Sequence, residues 1–282
     1  MSFEPSARRE PIFTMPAAVL VTIAVLLGIH ALRDFTLSDA ADAGLLSTLA
    51  FVPARLTFLF DPGAVVDAIA RMPGAAGIEP EELRALVEAG GVHPWSLLTY
   101  ALLHANWMHV TVNCIWLAAF AAPAVRRVGT GRYLVLLAVT AIGGALLHWA
   151  THPVDIAPVI GASAAVAGVM GFSVRFVFQP GAPLGPALPP PPPVFDEETG
   201  LVLPPPAPDP EAPYRRAALP LGRLLRDGRA LAFVAVWFGL NFVFGIASQP
   251  LGMTDQTVAW EAHVGGFLAG LLLFSLFDRR AA

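Results

Sequence analysis

The chain has 282 residues, of which 56% are hydrophobic and only 13% are charged, and its formal net charge is -4. An ordinary soluble domain carries about 25% charged residues, so this chain has too little polar surface for a soluble protein of its size. A soluble enzyme, a disordered chain and a nucleic-acid-binding protein are therefore poor interpretations. The single cysteine, Cys114, excludes an intrachain disulfide and a metal site built from several cysteines.

Six stretches of the chain are predicted to be membrane-spanning helices. A spanning helix needs about 20 mainly apolar residues. In chain order the predicted spans lie near Met15–Leu32, Trp107–Val125, Tyr133–Ala150, Ile160–Phe178, Ala230–Ala247 and Val258–Phe277. We therefore predict an all-α membrane protein built as a bundle of six transmembrane helices.

The arginines predict the direction of the spans. Most lie before span one, between spans two and three, between spans four and five, and after span six, whereas Thr151–Val159 and Ser248–Thr257 contain none. Four others, Arg33, Arg55, Arg71 and Arg84, lie in the long outer loop after span one, and long loops count weakly in the positive-inside rule. Since arginine-rich loops stay in the cytoplasm, we expect cytoplasmic N- and C-termini, with spans two, four and six beginning at the outer face. Because no organelle transit segment is evident, we expect a bacterial plasma (inner) membrane.

Two long loops separate the spans. The outer loop after span one, residues 33–106, is predicted to be structured and to brace the bundle: Leu45–Phe60 is apolar, and Glu79–Ala89 has the proline and acids that begin a helix. The inner loop is rich in proline and is predicted to be an extended linker, the alternative being a ligand for a proline-binding partner. The chain thus divides into a short cytoplasmic tail (1–14), spans one to four (15–178), the proline-rich cytoplasmic loop (179–229), and spans five and six with a short cytoplasmic tail (230–282), together one membrane domain.

Polar side chains gather near the outer ends of spans two, four and six. Ser163 in span four and His263 in span six lie at similar depth, and polar groups inside spans are functional candidates because lipid makes them costly. A serine hydroxyl becomes a good nucleophile when a neighbouring base takes its proton, and His263 is that base if the two spans touch. The alternative is that Ser163 only bonds to a backbone carbonyl.

Span two contributes His109 and Asn113 at the same depth. Their i, i+4 spacing places both side chains on one helix face, where they could donate hydrogen bonds to the negative oxygen that develops during acyl transfer. The alternative is a pair of hydrogen bonds between helices. We expect His104 to fix the outer loop to the bundle, and Asn241 in span five to form an interhelical hydrogen bond.

Ser163 and His263 are expected to act as a pair, without an acidic third catalytic residue and without a metal. Glu261 lies two residues before His263, about 200° around the helix, so it is predicted to point away from the dyad and to be exposed. His148 and His152 are expected at the membrane interface. His104 and His109 have no H-E-x-x-H pattern and no acidic residue beside them, which argues against zinc there. The predicted site therefore needs no metal and no organic cofactor.

Three pieces of the sequence carry a resemblance to a known family. His104 begins an H-x4-H-x3-N pattern that ends at Asn113; Ser163 lies in a run of small residues, Gly161–Gly171; and His263 is followed by Gly266 and Gly270 within Ala262–Gly270. In this order, and with six spans, they resemble the rhomboid family of intramembrane serine proteases.

The resemblance implies cleavage of peptide bonds in or beside the transmembrane segments of single-pass or other membrane proteins. By matching position, Ser163 would be the nucleophile, His263 the general base, and His109 and Asn113 the oxyanion donors. Span five and the loop after it, Ser248–Thr257, would act as a movable gate and cap.

Three positions depart from the family pattern. Ala164 and Ser96 stand where the family often has glycine and arginine, and Ala167 stands where it often has an aromatic ring against the histidine. The histidine would then be held differently, for example by another ring. The alternative function is a catalytically inactive rhomboid-like protein that binds or escorts membrane clients.

Overall fold

The computed structural model describes residues 15–75, 77–195, 200–203, 209–247 and 259–278. This part of the chain is mostly helical. Its helices are α1 (Ala17–Thr36), α2 (Asp39–Leu49), α3 (Pro53–Thr57), α4 (Pro62–Ala70), α5 (Pro80–Ala89), α6 (Ser96–Thr99), α7 (Trp107–Val128), α8 (Thr130–Thr151), α9 (Ser163–Ser173), α10 (Leu221–Leu224), α11 (Gly228–Ala247), α12 (Trp260–Leu272) and α13 (Phe274–Phe277). Two short antiparallel strands, β1 (Val194–Phe195) and β2 (Val202–Leu203), pair Val194 with Leu203.

Within the described residues, α1, α7 and α8 are long and apolar enough to cross a membrane. This agrees with the prediction of a helical membrane protein. α9, α11 and α12 lie where spans four, five and six are predicted, but α9 and α12 have 11 and 13 residues, fewer than the roughly 20 of a full span. The count of six spans stays a prediction.

Two predicted spans are longer than the helices found there. The helix expected over Ile160–Phe178 begins only at Ser163. Val159 instead pairs with Phe51 in an isolated β-bridge, and Gly161 has a φ of 128°, which a helix interior does not allow. The helix expected over Val258–Phe277 is interrupted at Leu273, between α12 and α13.

α9 is the central helix and packs against α7, α8 and α12. A Cβ at Gly266 of α12 would overlap the carbonyl oxygen of Ala164 in α9, and a Cβ at Gly270 would overlap that of Gly168. The two contacts advance by four residues on both helices, so α9 and α12 run in the same direction. The predicted close approach through small residues is therefore confirmed.

The segment between α1 and α7 is hydrogen bonded to the connection between α8 and α9. Thr57 Oγ1 donates to the carbonyl of Pro153, and Trp149 Nε1 donates to Thr57 Oγ1 at 2.8 Å. The helix predicted over residues 79–89 is present as α5. The segment therefore holds the end of the bundle that carries Ser163.

The opposite end of the bundle is held by Arg127, at the end of α7. Its guanidinium binds the Asp278 carboxylate, with Nη2 and Oδ2 2.6 Å apart, and both side chains are 2% exposed. Nη1 also donates to the backbone carbonyls of Tyr214 and Arg216. The far end of the proline-rich loop is thus attached to the bundle. The residues of this loop at 196–199 and 204–208 lie outside the described part, as do the predicted N-terminal tail and the loop 248–258.

Candidate active site

Ser163 is the first residue of α9 and is partly buried. The chain reaches it through Gly161, whose N–H donates to the carbonyl of Tyr100 at 3.0 Å and whose φ of 128° favours glycine. At a helix N-terminus the first backbone N–H groups have no partner within the helix. The N–H of Ser163 makes no hydrogen bond to any described residue, so it is free to bind a negatively charged oxygen.

His109 lies next to Ser163, across Gly161. A Cβ at residue 161 would be 2.8 Å from His109 Nε2 and 3.5 Å from Ser163 Oγ, so both side chains border the same small space. The side chain of Asn106 caps α7 by accepting a hydrogen bond from the His109 N–H at 2.9 Å. This cap fixes the first turn of α7, which carries His109. Nδ1 of His109 accepts a hydrogen bond from the N–H of Ala105, with the two nitrogens 3.5 Å apart. This arrangement leaves Nε2 protonated and directed at the space beside Ser163.

His263 is held by an amide on a neighbouring helix. Its Nδ1 forms a short hydrogen bond with Oδ1 of Asn241 in α11. The other end of this amide, Nδ2, donates to the carbonyl of Trp237 at 2.8 Å, which defines the orientation of the amide. Because Oδ1 can only accept, Nδ1 carries the proton and Nε2 of His263 keeps a free lone pair. The predicted interhelical hydrogen bond of Asn241 is thus present, and an amide rather than a ring holds the histidine.

Ser163 and His263 lie on adjacent helices at a similar level. Gly266 contacts Ala164, and His263 precedes Gly266 by three residues, or about 4.5 Å along the helix. This register places His263 within about one helical turn of Ser163. Among the described residues, Ser163 Oγ forms no hydrogen bond with His263. Catalytic hydrogen bonds are often long before substrate binds, so this spacing is compatible with a catalytic pair.

Among the described residues, Asn113 forms its side-chain hydrogen bond within its own helix and not with Ser163. It is buried, and its Nδ2 donates to the carbonyl of His109 at 3.1 Å, within the same helix. Its role as an oxyanion donor therefore stays a prediction.

His104 is fully buried beneath the site. Its Nε2 accepts a hydrogen bond from the N–H of Ala162, the residue before Ser163, at 3.3 Å. Arg33 also donates to the His104 carbonyl at 2.7 Å. Burial, with a smaller contribution from nearby His109, lowers the pKa of His104 to about 3, so the ring is a neutral acceptor at pH 7. The prediction that His104 fixes the outer loop to the bundle is confirmed.

Glu261 is not exposed, contrary to the prediction. Its side chain is only 14% exposed and lies beside His148 and His152 from the end of α8. The i, i+4 spacing of the two histidines is visible in the sequence. The contact with Glu261 depends on the packing of α8 against α12, which that spacing does not reveal.

Comparison with known proteins agrees with the motifs. Residues 92–192 match the family described as Rhomboid domain, a range that contains His109, Asn113 and Ser163 but not His263. A Bacillus subtilis (strain 168) protein named "Putative rhomboid protease YdcA" is 36% identical over 77 residues, which are 27% of this chain. The chain spans 38% of the length of that relative. The matched range contains two of the three sequence motifs and supports the resemblance to the rhomboid family.

Proposed function

We propose that this chain, whose residues 92–192 match the family described as Rhomboid domain, is an intramembrane serine endopeptidase that cleaves transmembrane segments of other membrane proteins. The observation that carries the proposal is the arrangement around Ser163. The hydroxyl lies at an open helix N-terminus beside His109, and α12 packs along α9 with the Nδ1 of His263 already bound to Asn241.

These groups can perform acyl transfer. Nε2 of His263 takes the proton of Ser163 Oγ while Oγ attacks the carbonyl carbon of the scissile peptide bond. The Ser163 N–H and the Nε2–H of His109 donate to the oxygen that becomes negative. His263 then passes its proton to the leaving amine, and in the second half of the reaction it activates the water that hydrolyses the acyl-enzyme.

The position of the dyad supports a membrane-embedded substrate. Ser163 lies at the start of its helix, so water can reach it from the predicted outer face while apolar helices surround the site. A helical peptide bond is shielded by its own hydrogen bonds, and the substrate must unwind locally before attack. Segments with glycine or proline should therefore be preferred substrates, because these residues weaken helices.

We place the protein in a bacterial plasma membrane, with both termini in the cytoplasm and the site opening to the outer side. The distribution of arginines supports this orientation. The reaction as written needs neither a metal nor an organic cofactor, and its partners are the lipid bilayer and transmembrane substrates.

A catalytically inactive rhomboid-like protein that binds membrane clients is the second candidate function. Two observations favour it: Ala167 stands where the family often has an aromatic ring, and Ser163 and His263 share no direct hydrogen bond. Both reacting side chains are nevertheless present, which is the reason for preferring the protease.

The test uses purified full-length protein in detergent and in liposomes, with a labelled single-span substrate and a serine-reactive phosphonate. We expect cleavage and labelling by the wild type, and loss of both in Ser163→Ala, since removal of the nucleophile costs a soluble serine protease roughly 10⁶-fold in kcat. His263→Ala should lose cleavage as well.

Ser275→Ala is the matched control, because Ser275 is exposed on α13, about three helical turns beyond His263. It should cleave and label like the wild type. Cleavage that persists in Ser163→Ala would refute the catalytic assignment. A wild type that neither cleaves a broad panel of substrates nor reacts with the phosphonate would favour the client-binding protein.

A further inference from the structure

Two histidines at the end of α8 and a glutamate at the start of α12 converge on one point. Nδ1 of His148 lies 3.6 Å from Oε2 of Glu261, and Nε2 of His152 lies 3.9 Å from Oε1 of the same carboxylate. One ligand atom from each residue lies within 4.8 Å of the other two. We propose that His148, His152 and Glu261 form a binding site for a divalent transition-metal ion, with zinc as the ion that fits best.

Direct hydrogen bonds do not account for this cluster. Both nitrogen–oxygen distances exceed the range of a protein hydrogen bond. The side chain of His148 is only 7% exposed, and its Nδ1 is buried without a hydrogen-bond partner among the described residues. Buried polar atoms are almost always satisfied. A metal ion between the three side chains satisfies this nitrogen and the carboxylate together.

The backbone presents the two histidines to one point. His148 and His152 are four residues apart, and the N–H of His152 still donates to the carbonyl of His148 at 2.9 Å, as in a helix. Their side chains therefore lie on the same face. Nδ1 of His152 is 3.0 Å from Oγ1 of Thr151, so a hydrogen bond holds the ring through the nitrogen that does not face Glu261. Metal-binding histidines are typically oriented by such a bond through the second ring nitrogen.

The ligand set matches zinc. Imidazole nitrogens and carboxylate oxygens bind Zn²⁺ at about 2.0–2.2 Å, which places neighbouring ligand atoms roughly 3.3–3.5 Å apart around a tetrahedral ion. The pairs at 3.6 and 3.9 Å use different oxygens of the Glu261 carboxylate. With one ligand atom from each residue, the three atoms lie within 4.8 Å of one another, so the side chains must close by up to about 1.4 Å to surround a tetrahedral ion. The His152 side chain is 44% exposed, which leaves room for this adjustment. The carbonyl end of α8 also favours a cation there.

The site is separate from the Ser163–His263 dyad and does not depend on protease activity. Three protein ligands leave a fourth position of the ion for water. The ion would link the end of α8 to α12, two residues before His263. Glu261 comes from a different helix than His148 and His152, so the spacing of the two histidines does not reveal the carboxylate, and the prediction of no metal is revised by this proposal.

The test measures zinc binding by the full-length protein, purified in detergent without a polyhistidine tag and stripped of metal with a chelator. Zn²⁺ alone is then titrated in competition with a chromophoric chelator. We expect one Zn²⁺ per chain. His152→Ala and Glu261→Gln should each weaken binding by at least about tenfold, the smaller effect expected even for loss of a residue that only orients a ligand.

Two controls distinguish a specific site from general binding of zinc by histidines. His93→Ala removes a partly buried histidine of the segment before α7 and should bind zinc like the wild type. Ser163→Ala should also bind normally, whether or not the protein is a protease. Each variant must elute from size exclusion like the wild type. Failure of the wild type to bind one equivalent, or unchanged affinity in both His152→Ala and Glu261→Gln, would overturn the proposal.

Discussion

Asn241 and His263 form the contact that decides which nitrogen of the proposed base is free. Asn241→Ala removes the acceptor of the Nδ1 proton, so the imidazole can rotate or change tautomer. We expect kcat to fall by at least about tenfold with little change in KM, a smaller loss than the roughly 10⁴-fold that follows alteration of the orienting aspartate in a soluble triad. Steady-state kinetics on the labelled substrate measures this.

Asn241→Asp is the companion variant, because it keeps an oxygen acceptor for Nδ1. It should recover much of the kcat lost in Asn241→Ala. If Asn241→Ala instead has full kcat, the amide does not position the base, and if both variants raise KM alone, Asn241 acts on substrate binding.

Burial of His104 makes the stability of the folded protein depend on pH. Its pKa is about 3 in the folded protein because of burial, against an ordinary value of 6.5. Between these values the unfolded chain binds a proton that the folded chain does not, so this contribution to stability is complete above about pH 6.5 and is lost as the pH falls. We expect the Tm of the wild type in detergent to drop over this window.

His104→Gln provides the comparison, since an amide oxygen can still accept from the Ala162 N–H but does not titrate. Its Tm should fall less between pH 6.5 and pH 4 than that of the wild type. Parallel Tm profiles for the two proteins would show that His104 does not govern the acid sensitivity.

At the residue level, the sequence identifies the candidate reacting residues, but it only partly identifies the residues that hold them in place. The spacing of His109, Ser163 and His263 within apolar spans indicates acyl-transfer chemistry. The orientation of His263 depends on Asn241, a residue on a third helix that the sequence identifies only as a hydrogen-bonding residue. The contacts of Glu261 arise from the register between α8 and α12, which local spacing does not determine.

At the level of elements, α9 and α12 approach so closely that residues 266 and 270 have no room for a side chain, and both are glycine. Gly270→Ala places a Cβ against the carbonyl oxygen of Gly168, and overpacking of this kind costs typically about 1–3 kcal/mol. We expect a lower Tm in detergent and a loss of activity as α12 moves away from α9.

Gly28→Ala is the matched control for this substitution, because Gly28 lies in the spanning helix α1 with no atom within 4 Å of the added Cβ. It should leave the Tm nearly unchanged. Equal destabilisation by the two substitutions would mean that α9 and α12 are not in close contact at Gly270.

The elements themselves are largely predictable from apolar length, but their ends are not. The apolar stretch runs from Ile160 to Phe178, but α9 covers only Ser163–Ser173. The start is set by tertiary contacts, the bridge between Phe51 and Val159 and the hydrogen bond from Gly161 to Tyr100. Hydrophobic periodicity contains no information on such long-range pairing, and it therefore overestimates the helix that carries the serine.

For the whole molecule, the buried pair of Arg127 and Asp278 joins the end of α7 to the last described residue. Asp278→Ala leaves a buried guanidinium without its carboxylate, and breaking a buried pair in this way costs about 3–5 kcal/mol. The Tm in detergent should fall clearly. The exposed pair of Arg215 and Asp209, with side chains 51% and 50% exposed, is the control, since such pairs contribute about 0–1 kcal/mol.

Asp209→Ala should therefore leave the Tm almost unchanged. If Asp278→Ala behaves in the same way, the buried pair does not hold the end of α7 to the end of α13. The low content of charged residues predicts the membrane class of the whole molecule, but it does not predict this pair, whose members are 151 positions apart in the chain.

In the proposed protease, the bond between Asn241 and His263 would couple catalysis to the attachment of α11. Much of α11 points away from the other helices, with Val236, Phe242 and Val243 each more than half exposed. A substrate that wedges α11 aside would also strip the imidazole of its anchor. Turnover by the proposed protease would then require α11 to return to His263 after the substrate has entered.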